Sequence, residues 1–228
     1  MTEAKQQQKR PRNSIDTRET ILDAAEKNFS THGFDGARVA IIAKTSGYNQ
    51  GLIFRYFRDK LGLYVEVLKR IEAEINELIT QQLAPLFDDK VVTDTHRLRA
   101  YFVNLIGLIY DYMVAHPQLM RLMIWEHAEN WQTYSQLTTL FENTSLDLLK
   151  VQFTKGQKAG LIRGDCDPLI ILLLAEQICW IFPSSFPYYR LILPESDLAS
   201  NSEQPFLRRQ VINFIVSGIL IDPQDAST

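Results

Sequence analysis

The run Asn49-Gln50-Gly51-Leu52-Ile53-Phe54-Arg55-Tyr56-Phe57-Arg58-Asp59, followed at once by Lys60 and preceded by Ser46-Gly47, constrains this chain more than any other stretch. It sets polar, aromatic and basic side chains on one short helical segment behind a turn. A helix made for burial would not place Gln, Arg and Tyr on its outer face. A helix made for a DNA groove would, because amide and guanidinium groups read base edges while Tyr and Lys hold phosphates.

The flanking sequence supplies the rest of the unit. Ile21, Leu22, Ala25 and Phe29 recur at helical spacing, with Asp16 as the expected N-cap and Glu19 completing a variant capping box. His32-Gly33 ends that helix. A short helix is predicted over about 39–45, then the turn Ser46-Gly47-Tyr48-Asn49, then a second short helix from Gln50 to about Tyr56. Ala43 is small where two helices cross. Ile42, Tyr48, Ile53 and Phe57 are expected to face a three-helix core. Asn49, Gln50, Gly51, Phe54, Arg55 and Tyr56 are left around the start and outer face of the second helix, the part that reaches bases in a helix-turn-helix.

At this point the chain resembles the TetR family of bacterial transcriptional regulators. The resemblance is carried by Gly33-Phe34, Ile42-Ala43, Gly47, Gly51, Tyr56-Phe57 and Lys60, and it covers about residues 15–65. It implies that Gln50 to Tyr56 enter the major groove and that Lys60 contacts phosphate. Ala37-Arg38 replaces the family's common Thr-Thr, so Arg38 is assigned the phosphate contact that a hydroxyl would have made. Tyr48 and Phe54 also depart from the usual residues, which bears on the operator read rather than on DNA binding itself.

Charge is divided in the same sense. The net charge is −3, yet residues 1–60 hold 11 Lys/Arg against 7 Asp/Glu, and residues 61–228 hold 13 against 20. The basic part is where a polyanion is met. Lys9, Arg10 and Arg12 form a basic N-terminal arm, which either lies in a minor groove or is simply solvated.

Beyond Asp59, expected to cap the next helix, Leu63, Val67, Ile71, Ile75 and Leu78 share one face. Helical segments follow near 96–115, 117–130, 135–159, 168–182 and 205–221, with residues 183–204 read as a Pro- and Ser-rich loop. No alternating β-branched stretch persists long enough for a strand. The fold class is all-α: an N-terminal three-helix helix-turn-helix domain (1–60) and a larger C-terminal helical domain (61–228) for ligand binding and dimerisation.

The C-terminal part is rich in Tyr101, Phe102, Tyr110, Trp125, Trp131, Phe141, Phe153, Trp180 and Phe182. Any one of these is first a core residue. The resemblance implies a small-molecule cavity here, and the set Phe102, Tyr110, Trp125, Trp131, Phe153, Glu176 and Trp180 is expected to line it. Glu126, His127, Glu129, Glu176 and Gln177 are the candidate polar groups. Glu176 stands within Leu172-Leu173-Leu174-Ala175-Glu176-Gln177-Ile178, where an unpaired carboxylate is costly. It either pairs with a positive side chain across an interface or faces the cavity. Leu172, Ala175, Cys179 and Phe182, with Phe214, Ile215, Gly218 and Ile219, form an expected seam. Two such helix pairs would make the four-helix dimer interface that the family implies.

Cys166 and Cys179 have no close pairing and are read as reduced and buried. His96, His116 and His127 are too dispersed for a metal motif. No nucleophile elbow or P-loop is present, so no enzyme and no cofactor is expected. The most apolar run reaches 14 residues against the roughly 20 needed to span a bilayer, and the N-terminus lacks a secretory core, so a cytoplasmic protein without a membrane partner is expected. The functional expectation is a homodimeric repressor that binds a palindromic operator and is released by a small-molecule effector, with the helix from Asp59 as lever. The alternatives are a regulator without a ligand, its aromatics being pure core, and a small-molecule-binding or enzymatic helical bundle that keeps the helix-turn-helix as scaffold.

Overall fold

Ile21, Leu22, Ala25 and Phe29 are all shut off from solvent, and their spacing makes one side of a long N-terminal helix the wall of a small core. In the computed structural model, which describes residues 14–136, 144–193 and 204–221, that helix is α1 (Ser14–Gly36). It is broken at Gly33, whose φ of 68° and ψ of 179° are non-helical. The expected stop at His32-Gly33 is therefore observed. The expected N-cap is not: the helix already includes Ser14, so Asp16 lies in its first turn, where its carboxylate favours the positive helix end.

Helix α2 (Val39–Ser46) ends on Gly47 in the left-handed conformation, and α3 (Gln50–Phe57) follows. Ile42, Ile53 and Phe57 are buried as expected, and Tyr48 is half-buried with its hydroxyl donating to Thr17 Oγ1 at 3.3 Å. Helix α4 (Lys60–Leu83) opens on the cap Asp59, whose Oδ1 accepts from the Gly62 N–H at 2.7 Å. Its Leu63, Val67 and Ile71 are buried on one face, with Tyr64 and Leu68 beside them.

A 3-10 turn (Ala84–Phe87) leads to α5 (Asp89–Val92), a short helix in the polar stretch between α4 and the segment expected near 96–115. Asp88 caps it by accepting from the Lys90 N–H at 2.9 Å. Then come α6 (Thr95–Ala115), α7 (Pro117–Ala128), a 3-10 turn (Tyr134–Gln136), α8 (Thr144–Lys158), α9 (Pro168–Ser184), α10 (Phe186–Ile192) and α11 (Gln204–Ile219). The single helix expected over 135–159 is thus confirmed only as α8 among the described residues. The loop expected over 183–204 contains α10, with Pro187 in its first turn, where the missing N–H costs nothing. The basic arm and Phe141 lie outside the described residues. The one β pairing among the described residues is the isolated bridge between Ile162 and Leu220.

The chain forms two compact units. One runs up to Ile71 and takes in Ile124–Leu137; the other comprises Glu72–Met123 and the chain from Thr138 onward. In the second unit α6 packs on α9 and α11, and α8 on α9. Their core holds Phe102, Leu105, Ile106, Tyr110, Phe153, Ala175, Cys179, Ile212, Ile215, Val216 and Ile219. The expected seam of the α9–α11 pair is observed at Ala175, Cys179, Ile215 and Ile219, which share the core beneath α6, while Phe214 faces out. The apolar side chains left outside on α9 and α11 are Ile170, Leu173, Leu174, Ile181, Phe206 and Phe214. Cys179 is buried, and burial pushes its thiol up to about 12, whereas Cys166 is half-exposed, against expectation. No single helix among the described residues is long and apolar enough to cross a membrane.

Candidate functional site

The α2–α3 pair belongs to the first unit, and local sequence fixes α3 firmly. Eight residues make a marginal helix on their own. Asn49 caps it, its Oδ1 accepting from the Leu52 N–H at 2.8 Å, and Ile53 and Phe57 anchor it inward. Gln50, Gly51, Phe54, Arg55 and Tyr56 are consequently held on the exposed side. Phe54 is 40% and Tyr56 36% exposed, large apolar area left in water on the same helix face as a guanidinium. Burial does not account for that combination. Asn49 is brought to the same place, but its side-chain oxygen is committed to the cap.

Arg38 stands immediately before α2 in extended conformation. Its backbone N–H donates to Asn28 Oδ1 at 3.2 Å, and its side chain is exposed. Lys60 is arranged differently. Its ammonium folds back over the Phe34 ring, 4.8 Å from the centroid, and donates to the Asp35 carbonyl at 3.1 Å. Between α3 and Lys60, Arg58 has φ 71° and ψ −57°, with the Asp59 N–H bonded to the Phe57 carbonyl at 2.9 Å. This is a strained γ-turn. It brings the Phe57 carbonyl so close to α4 that a Cβ on Gly62 would lie 2.1 Å from its oxygen. Sequence reasoning missed Gly62 because nothing in the local pattern announces a close approach between consecutive helices.

A second missed feature is the buried pair Tyr64 and Glu126. Tyr64 donates to Glu126 Oε1 at 2.7 Å, and Glu126 Oε2 accepts from the Tyr134 N–H at 2.9 Å. Burial, then the hydrogen bond to Glu126, raises the Tyr64 phenol above its ordinary range. Glu126, expected as a polar group of a ligand cavity, is instead a satisfied internal carboxylate of the first unit. Trp125 and Trp131 also lie in that unit. The Trp125 Nε1 donates to the Ser30 carbonyl at 3.3 Å, and Trp131 sets its ring edge-on to Tyr134 at 5.7 Å. Phe102, Tyr110, Phe153, Glu176 and Trp180 make up the rest of the expected set.

Those remaining residues lie in the second unit. Phe102 and Phe153 pack edge-to-face at 5.2 Å, and Tyr110 and Trp180 are buried. The hydroxyls of Tyr101 and Tyr110 and the Gln152 Oε1 are buried without a hydrogen-bond partner among the described residues. Glu176 lies on the exposed side of α9 with no ionic partner among the described residues. Crowding by neighbouring side chains, then the Glu72 charge, raises its carboxyl above the usual range.

Residues 21–67 match the model of bacterial regulatory proteins of the TetR family, and residues 100–215, half of the chain, match that of the tetracycline repressor-like C-terminal domain. The chain belongs to the TetR family. It is 29% identical to the HTH-type transcriptional repressor NicS of Pseudomonas putida over 171 residues, 74% of this chain and 76% of that protein. It is 30% identical to the HTH-type transcriptional repressor SCO4008 of Streptomyces coelicolor over 166 residues, 72% and 77%. Its fold is similar to that of FadR from Bacillus subtilis, solved in complex with stearoyl-CoA (TM-score 0.60, 18% identity, 88% of this chain and 98% of that one). A TetR family regulator from Marinobacter aquaeolei gives a TM-score of 0.64 at 17% identity, over 90% and 96%. As in the TetR family, a helix-turn-helix precedes a larger all-helical part.

Proposed function

We propose that this TetR family regulator is a cytoplasmic homodimeric repressor that binds a palindromic operator and leaves it when a small molecule binds. The observation that carries the reading is the outer face of α3: Gln50, Phe54, Arg55 and Tyr56 exposed together on a helix whose other side is locked by Ile53, Phe57 and the Asn49 cap. Gln50 and Arg55 read base edges; Arg38, Tyr56 and Lys60 hold the phosphate backbone. Residues 1–60 carry the DNA function and 61–228 the sensing and dimerisation functions.

Dimerisation is supported by the apolar side chains that α9 and α11 leave in water, foremost Leu174 and Phe214. Two copies related by a two-fold axis present two reading helices, and half-sites one turn apart lie about 34–36 Å from each other. Glu176 belongs to this face in our reading. The effector is assigned to the second unit, at Phe102, Tyr110, Phe153 and Trp180. The unpartnered Tyr101 and Tyr110 hydroxyls and Gln152 amide oxygen support a lipophilic molecule with a few hydrogen-bonding groups. An effector that binds better when the reading helices are wrongly spaced shifts the population away from DNA.

The test is recovery of genomic fragments by the purified protein, repeated with Gln50→Ala and Arg55→Ala together. A palindromic sequence recovered by the wild type and lost in the double variant supports the reading. No enriched sequence from folded protein refutes it.

A further inference from the structure

Among the described residues the Lys60 ammonium makes one hydrogen bond, with the Asp35 carbonyl, and it rests on Phe34. Glu129 follows directly on the end of α7. Glu129 comes so close to this loop that a Cβ on Gly33 would stand 3.4 Å from its Oε1. Phe34, Asp35, Leu61, Glu129, Gln132 and Thr133 line a common cleft of about 380 Å³ within the first unit. The Glu129 carboxylate is half-buried and receives no hydrogen bond among the described residues. Partial burial, with Asp35 and Glu126 nearby, raises it above the ordinary carboxylate range, and the Lys60 charge acts in the opposite direction. Lys60 and Glu129 are therefore electrostatic neighbours without being a closed ion pair.

We propose that Glu129 is a counter-charge that competes with the DNA backbone for Lys60 and so sets DNA affinity from outside the helix-turn-helix. The physical basis is simple. A lysine contributes to phosphate binding as a mobile point charge, and the contribution shrinks when a carboxylate already offsets that charge. Glu129 does so without fixing the ammonium, because no direct bond holds the two together. Phe34 and the Asp35 carbonyl hold the lysine folded back beside the cleft that Glu129 lines. Moving onto a phosphate then means leaving a negative potential as well as a ring face. Residue 129 lies far along the chain from the reading helix, yet it belongs to the same compact unit, so a shift of the α7 end alters the charge felt at Lys60.

The inference rests on the assignment of Lys60 as a phosphate contact, and the experiment separates the two. Affinity for a random-sequence DNA duplex is measured against salt for the wild type, Glu129→Gln, Lys60→Ala and the double variant. Such a duplex suffices because phosphate contacts are independent of sequence. Glu129→Gln is expected to bind about two- to fivefold more tightly at low salt, the range of an exposed charge pair, with the gain fading as salt rises. In the Lys60→Ala background the same change is expected to do nothing. Unchanged affinity in Glu129→Gln overturns the proposal. So does an equal gain with and without Lys60, which would mark a general loss of negative charge. If Lys60→Ala alone leaves binding unaltered, the phosphate assignment of Lys60 is itself wrong. Glu129→Gln keeps the side-chain shape and breaks no hydrogen bond, and an unfolding midpoint equal to wild type verifies that the fold is retained.

Discussion

Tyr64 and Glu126 stand 62 residues apart in the chain and meet through a 2.7 Å hydrogen bond, both side chains closed off from solvent. The phenol donates to one carboxylate oxygen, and the Tyr134 N–H supplies the other at 2.9 Å. A buried carboxylate is tolerated when donors surround it, and removing one donor costs more than the bond itself contributes. This contact fastens residues 124–137 to α4 within the first unit.

Tyr64→Phe is therefore expected to destabilise the protein by about 1–3 kcal/mol, the cost of stranding a buried polar group. Replacing the pair together, Tyr64→Phe with Glu126→Leu, is expected to recover part of that loss, since no carboxylate is then left without its donor. Urea unfolding of the three proteins checks this; a single variant as stable as wild type would show that water reaches the carboxylate.

Tyr101 and Tyr110 give the opposite case. Their hydroxyls are buried with no partner among the described residues, so Tyr101→Phe and Tyr110→Phe delete a desolvated group and strand no described donor or acceptor. Each is expected to hold or raise the thermal midpoint at neutral pH. A clear fall in either would reveal a hydrogen bond, through water or otherwise, that the hydroxyl makes in solution.

Alkali should unfold the protein through these same rings. Burial raises the phenols of Tyr64, Tyr101 and Tyr110 above their ordinary value of 10.0, that of Tyr110 to about 12. Above pH 10 the unfolded chain loses tyrosine protons that the folded chain keeps. Stability is thus fully present below pH 10 and falls as pH rises toward the folded-state values. Denaturant midpoints followed upward from pH 9 should bend down near 10, and less steeply in Tyr110→Phe. A flat profile would contradict the sealed setting of these side chains.

Gly33 is needed twice over. Its φ of 68° suits glycine, and an added Cβ would lie 2.9 Å from two ring atoms of Trp125. Gly33→Ala is expected to cost about 1–3 kcal/mol from backbone strain and overpacking, read in the unfolding midpoint. With Trp125→Ala also present, the overpacking part should vanish and the strain part remain.

The proposed dimer face predicts that Leu174→Glu with Phe214→Glu yields a folded monomer, because both side chains project from the protomer and carry none of its core. Sedimentation should show half the mass of the wild type, with helical content retained. A dimer of unchanged strength would move the interface elsewhere.

The first four helices were legible in the sequence because their determinants are local: the apolar spacing of α1, Gly47 at the turn and Asp59 as a cap. Short α5 and α10 were not, since Pro and polar residues read as breaks whether they end a helix or begin one. Periodicity grouped Leu172, Ala175, Cys179 and Phe182 with Phe214, Ile215, Gly218 and Ile219 in one seam. It did not say that Ala175, Cys179, Ile215 and Ile219 face inward while Leu174 and Phe214 face out, which depends on where α6 lies. Trp125 and Trp131 looked like cavity residues because aromatic content is visible in sequence, whereas a bond from Trp125 to the Ser30 carbonyl, 95 positions away, is not. Glu129 drew notice only as a polar group and Lys60 only as a phosphate contact; that their charges act on each other depends on the fold.

The Asn49 cap has a consequence for the thermodynamics of encounter. Because α3 is closed at its first turn and pinned by Ile53 and Phe57 before any duplex arrives, its backbone entropy is surrendered during folding and not at the moment of contact. Recognition by such a preset helix carries the heat-capacity signature of rigid docking, small and set by the surfaces that meet. An uncapped α3 would shift part of its ordering into the binding step, and the operator would feel the looseness of the reader as a slower search for register.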